Sequence, residues 1–80
     1  MRTLNNYNIV IGDTNTIERT CKITEDFRNN DLNIRATIYE VAENKIYTLI
    51  VKQNGEVKKV LSAQNELYLL LRTSNIIKNL

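Results

Sequence analysis

Eighty residues, 42% of them apolar and 25% charged with a net charge of +2, describe a single small domain spanning 1–80, less basic than a dedicated DNA-wrapping protein and far less acidic than a DNA mimic. With no histidine, tryptophan or proline and one cysteine, Cys21, the usual zinc sites, imidazole triads and internal disulfides are excluded. No apolar run approaches the ~18 residues that span a membrane, and 1–6 contain no apolar leader core, so the expectation is a cytoplasmic protein with no membrane partner.

The first stretch with strand character is Tyr7-Asn-Ile-Val-Ile11, closed by the turn formers Gly12 to Asn15. Residues 16–24 read two ways. As a strand, Ile17, Cys21 and Ile23 share a face with Arg19, while Glu18, Thr20, Lys22 and Thr24 make a polar one. As a helix capped by Asp13 or Thr14, Ile17, Cys21, Thr24 and Phe27 form a stripe that leaves Ile23 off it. The threonines lower helix propensity, which favours the strand and an N-terminal hairpin of 7–11 with 17–24. Residues 25–33, with Asn29-Asn30-Asp31, then read as a polar connection.

The clearest signal is Lys45-Ile-Tyr-Thr-Leu-Ile-Val-Lys52, β-branched, aromatic or aliphatic apart from its end lysines. Glu43-Asn44 precedes it and Asn54-Gly55 follows, the latter the pair favoured where both central turn residues need positive φ. A three-stranded meander follows, 33–42, 45–52 and 56–61. A two-residue turn at Glu43-Asn44 sets Ile34, Ala36, Ile38, Leu49 and Val51 on an apolar face. Arg35, Thr37, Tyr39, Val41, Ile46, Thr48, Ile50 and Lys52 occupy a mixed one. The 56–61 strand does not alternate cleanly; a bulge or an exposed edge carrying Lys58 and Lys59 is expected.

Ser62 is a good N-cap, and 63–78 has the composition of a helix with Glu66 near its start and Arg72 and Lys78 near its end. The stripe predicted to cover the apolar sheet face is Ala63, Leu67, Leu70, Leu71, Ser74 and Ile77. Tyr68, Leu69, Ile76 and Leu80 fall off it and are surplus. The fold class is therefore α+β: a small antiparallel sheet, the 33–61 meander plus the N-terminal hairpin, packed on one C-terminal helix.

Nothing in the chain assembles catalytic chemistry. Gly12 and Gly55 read as turn residues with no phosphate-loop pattern around them. Glu25-Asp26 reads as a solvated acidic pair rather than a divalent-ion site. Cys21 could be a nucleophile activated by Arg19 or Lys22, but a small apolar side chain in the core is the commoner role. No enzyme, metal or cofactor is expected. Twelve asparagines and ten isoleucines point to A/T-rich codons and a low-GC source.

What remains is binding. The mixed face, with Arg35, Tyr39, Thr48 and Lys52 together with Lys58 and Lys59 on the last strand, is the candidate partner surface. Tyr68, Leu69 and Ile76 are candidate oligomer contacts. The mixed face is equally open to cover by the chain's own N-terminal part. Three antiparallel strands followed by a helix resemble, in element order, the sheet-reading DNA-binding modules of the plant AP2 type and the arm-binding domains of phage integrases. No residue motif of either family is present. The resemblance implies nucleic-acid binding through the sheet. The favoured expectation is a non-enzymatic protein-binding chain, a phage or mobile-element inhibitor of a host machine such as an anti-CRISPR, acting by steric blockade in the host cytosol. A nucleic-acid-binding regulatory or excision factor and a homodimeric or larger self-assembling subunit are the alternatives.

Overall fold

The computed structural model describes residues 14–41 and 46–80. In chain order these form α1 (Thr14–Thr20), β1 (Lys22–Asn29), β2 (Ile34–Glu40), β3 (Tyr47–Gln53), β4 (Glu56–Ala63) and α2 (Glu66–Lys78). The four strands make one antiparallel sheet in sequential order, so the expected α+β class holds. The 7–11 strand and the Glu43-Asn44 turn lie outside the described residues.

The meander has the register that alternation dictates. Ala36 stands opposite Val51, Ile38 opposite Leu49, and Arg35 opposite Lys52. Asn54 and Gly55 have φ of 55° and 82°, the left-handed pair that joins β3 to β4. At the same end, the Asn33 backbone carbonyl accepts from Asn54 N–H at 3.0 Å. Asn33 Nδ2 donates to Asn54 Oδ1 at 2.9 Å, tying the two turns together. The expected irregularity in the last strand is a register shift opposite Val51 and Lys52, and among the described residues β4 is an outer strand of the sheet.

The N-terminal expectation is corrected in two places. Residues 14–20 are a helix, not part of a 17–24 strand, and the strand runs over 22–29, through the stretch read as a polar connection. α1 is only seven residues long and is held by burial of Ile17, 2% exposed against Tyr39 and Ile50. Cys21 N–H donates to Ile17 O at 3.0 Å, closing the last turn, and Lys52 Nζ reaches Glu18 Oε2 at 2.7 Å, pinning the helix to the sheet. β1 is almost wholly polar and forms because β2 supplies pairing partners for every residue of it but Thr24.

The C-terminal helix starts later than predicted. Ser62 and Ala63 belong to β4, and Ser62 Oγ is 2.9 Å from Thr48 Oγ1, both buried, so that hydroxyl is not free to cap. Asn65 caps instead, its Oδ1 accepting from the N–H groups of Leu67 and Tyr68. This start sets the rotation of α2. Leu69 (0% exposed) and Ile76 (8%) face the sheet, while Leu67 (59%), Leu70 (39%) and Leu71 (66%) do not. Of the predicted stripe, Leu67, Leu70 and Leu71 thus lie off the core, whereas Ala63 joins it from β4 and Ile77 packs against it; Leu69 and Ile76 are core residues rather than oligomer contacts. Tyr68 is half-buried and packs on the same core.

The main core lies between α2 and the apolar face, where Ile34, Ala36, Ile38, Leu49, Val51, Leu61 and Ala63 meet Leu69 and Ile76. Burying an aliphatic side chain this fully contributes about 1.5–3 kcal/mol.

Candidate functional site

The residues expected to form a partner surface are dispersed by burial. Tyr39 (5% exposed) and Thr48 (0%) lie inside the protein. Tyr39 packs with Ile17 and Ile50 in the α1 core, and that burial raises its phenol pKa, with Glu18 adding to the shift. Ile17 of α1 thus packs on part of the mixed sheet face, and with Thr37, Tyr39 and Thr48 buried it is not the open sheet that a base-stacking surface requires.

Arg35 and Lys52 remain at the rim of that face. Arg28, Arg35 and Lys52 stand directly abreast on three adjacent strands, an arrangement that repels itself without counter-charges. Asp26 and Glu18 supply them. Asp26 Oδ1 accepts from Arg35 Nε at 3.2 Å and from Thr37 Oγ1 at 3.3 Å, and its Oδ2 from Arg35 Nη2 at 3.3 Å; Arg28 Nη2 lies 3.6 Å from Oδ2. The hydrogen bond from Arg35 is the main reason the Asp26 carboxyl titrates below its usual range. Lys52 is held by Glu18. Both expected anchors are thus committed to internal ion pairs. Lys58 and Lys59 are exposed on β4, with Lys58 Nζ 3.0 Å from Glu56 Oε1.

An apolar concavity lies on the opposite face. α2 rests on β4, β3 and β2, and between it and β1 the sheet opens into a groove of about 640 Å³. The floor is Phe27, Ala36 and Ile38. One wall is the side of α2 bearing Leu70, Ser74 and Ile77, and Leu32 and Leu80 close the ends. Phe27 (47% exposed), Leu32 (50%), Leu70 and Leu80 (45%) leave much of their surface open there. The groove follows from simple dimensions. A helix is ~10 Å across and four strands at ~4.8 Å spacing are roughly 15 Å wide, so one helix cannot roof the whole sheet. Glu25 on the β1 side and Lys78 on the α2 side line it, and neither has an ion pair among the described residues.

Phe27 was hidden in the sequence by a bulge, and Leu32 by its place in the turn after β1. Ile23 and Phe27 are four apart and share a face in a regular strand. The register shift between Ile23 and Glu25 sets Ile23 opposite Tyr39 and Phe27 opposite Ala36, on opposite faces. No alternation survives to be read. Among the described residues no three of His, Cys, Asp and Glu converge, and no helix is long and apolar enough to cross a membrane.

Comparison with family models, with curated proteins and with solved structures finds no match for this chain. The functional reading therefore rests on the groove and on the charges around it.

Proposed function

We propose that this chain is a non-enzymatic binding protein whose groove between α2 and β1 seats the apolar face of an amphipathic helix from a partner protein. The half-roofed sheet carries this reading. The strip of sheet beside α2 is left uncovered along β1, and its lining is apolar in the middle, so a helix lying along it would pack against α2 on one side and β1 below. The rim charges Glu25 and Lys78, without ion pairs among the described residues, define the occupant further. It presents a basic residue toward Glu25 and an acidic one toward Lys78, flanking leucine-like anchors that fill the space over Phe27 and Ala36. A small domain that binds in this way acts by occupying a site on its partner. Steric blockade of a host machine by a phage or mobile-element inhibitor, of which anti-CRISPR proteins are one kind, is the form of that action we propose.

The test is affinity capture from bacterial lysate with the full tagged chain and with Leu70→Lys as baits, followed by hydrogen exchange on the purified complex. Leu70 is part-exposed, so the variant folds. The expected result is a partner captured by the wild type and lost with Leu70→Lys. Protection should rise in residues 25–27, 36–38 and 70–78, and in one amphipathic helix of the partner. Equal capture by both baits, protection confined to β4 or α1, or a homodimer formed through the groove by the chain alone would overturn the proposal.

A further inference from the structure

The other side of α2 holds a smaller cleft of about 260 Å³, between the helix and β4, lined by Lys58, Lys59, Arg72, Asn75 and Asn79 over Ile76 and Leu80. Three of its lining side chains are cationic and none is a carboxylate. Lys58 is turned to Glu56, whereas Lys59 has no ion pair among the described residues. Arg72 is fixed in place by its neighbour one turn back. Its Nη1 donates to Tyr68 Oη at 3.0 Å, and its guanidinium carbon lies 5.8 Å from the centre of the Tyr68 ring. With the guanidinium held this way, Arg72 Nε is buried and has no acceptor among the described residues. A buried donor on a permanently charged group is costly unless something accepts from it. The last turn of α2, beside the cleft, has its carbonyls engaged within the chain. Asn79 N–H donates to Ile76 O, Asn79 Nδ2 to Asn75 O, and Leu80 N–H to Ile77 O, covering the last carbonyls.

We propose that this cleft binds a single oxyanion group, phosphate or carboxylate, with the Arg72 guanidinium and Lys59 Nζ as its cationic partners and Lys58 raising the local positive potential. A volume below the ~300 Å³ at which pockets for drug-sized ligands begin suits one such group rather than a nucleotide or a sugar phosphate. Planar guanidinium donors beside a mobile ammonium are the chemistry that recognises these oxygens. The site is independent of the apolar groove, and neither proposal needs the other.

The experiment is an NMR titration of the isotope-labelled full chain with sodium phosphate at constant ionic strength, repeated with sodium acetate and with chloride alone. Saturable amide shifts at positions 58, 59, 72, 75 and 79 are expected with phosphate or acetate, and none with chloride. The arm that saturates at lower concentration identifies which oxyanion the cleft prefers. Arg72→Gln and Lys59→Gln should each weaken binding about tenfold, the effect of losing one charge-assisted hydrogen bond. Lys22→Gln, on exposed β1, should leave it unchanged. Lys59 is exposed, so its variant stays folded even if Arg72→Gln does not. Non-saturating shifts, shifts matched by chloride, or wild-type affinity in Lys59→Gln would overturn the proposal.

Discussion

Truncating Leu69 and Leu71 separately to alanine tests the rotation of α2, the feature on which both clefts depend. Leu69 is 0% exposed and packs with Leu49, Leu61 and Ile76, whereas Leu71, two residues on, is 66% exposed. Two residues turn a helix by about 200°, so the pair samples opposite sides. Leu69→Ala loses the transfer energy of a fully buried leucine, about 1.5–3 kcal/mol, and leaves a cavity in a core roofed by one helix. The expected cost is about 2–5 kcal/mol. A domain of this size has a total stability of roughly 4–12 kcal/mol, so the variant should melt about 10 °C or more lower and unfold at markedly lower urea. Leu71→Ala removes a side chain that is mostly in water and should change stability by no more than about 0.5 kcal/mol. Urea titration followed by far-UV circular dichroism measures both with the same slope. If Leu71→Ala cost about 2 kcal/mol or more while Leu69→Ala cost under ~1, the helix would be turned the other way, and the groove as described would not exist.

Three further outcomes are expected. Asp26→Asn should cost about 1 kcal/mol at pH 7 by leaving Arg28, Arg35 and Lys52 abreast with one acid fewer. Because folding lowers the Asp26 pKa, its contribution is fully present above the usual carboxylate range near pH 4 and is lost as pH falls through the folded value; stability of the variant should therefore be flatter in acid than that of the wild type. Gly55→Ala meets no atom within 4 Å, so its cost should be the left-handed backbone alone, about 1–2 kcal/mol, by thermal melting. Thr48→Val should cost about 1–3 kcal/mol by stranding the buried Ser62 hydroxyl, and adding Ser62→Ala should recover most of it, a coupling that a double-mutant cycle reads directly.

The meander was legible because its strands alternate and because Asn54-Gly55 can do little else but turn. The register of Ala36 with Val51 and Ile38 with Leu49 followed from that alone. The segment from Thr14 to Asn29 was not legible, for two physical reasons. α1 is a weak helix that exists because Ile17 has a place between Tyr39 and Ile50. β1 is an outer, polar strand with a bulge, recruited by its neighbour's backbone rather than by its own side chains. The rotation of α2 was hidden differently. Leu67, Leu69, Leu70 and Leu71 make the helix apolar on nearly every side, so two stripes fit equally well. The choice between them is made by Asn65 taking the cap that Ser62, engaged with Thr48, cannot supply. Of the expected binding residues, Lys58 and Lys59 are brought together with Arg72. Arg35 and Lys52 are engaged by acids, and Tyr39 and Thr48 are buried.

Only Gln64 and Asn65 separate β4 from α2, and the second of these is hydrogen-bonded into the first turn of the helix. A link with so little slack gives the helix no hinge on which to swing. Any guest entering beside it finds jaws already set, and must match their gap instead of prying them apart. Complexes formed on such terms lose little free energy to rearrangement, and they turn away helices with thicker side chains on steric grounds alone.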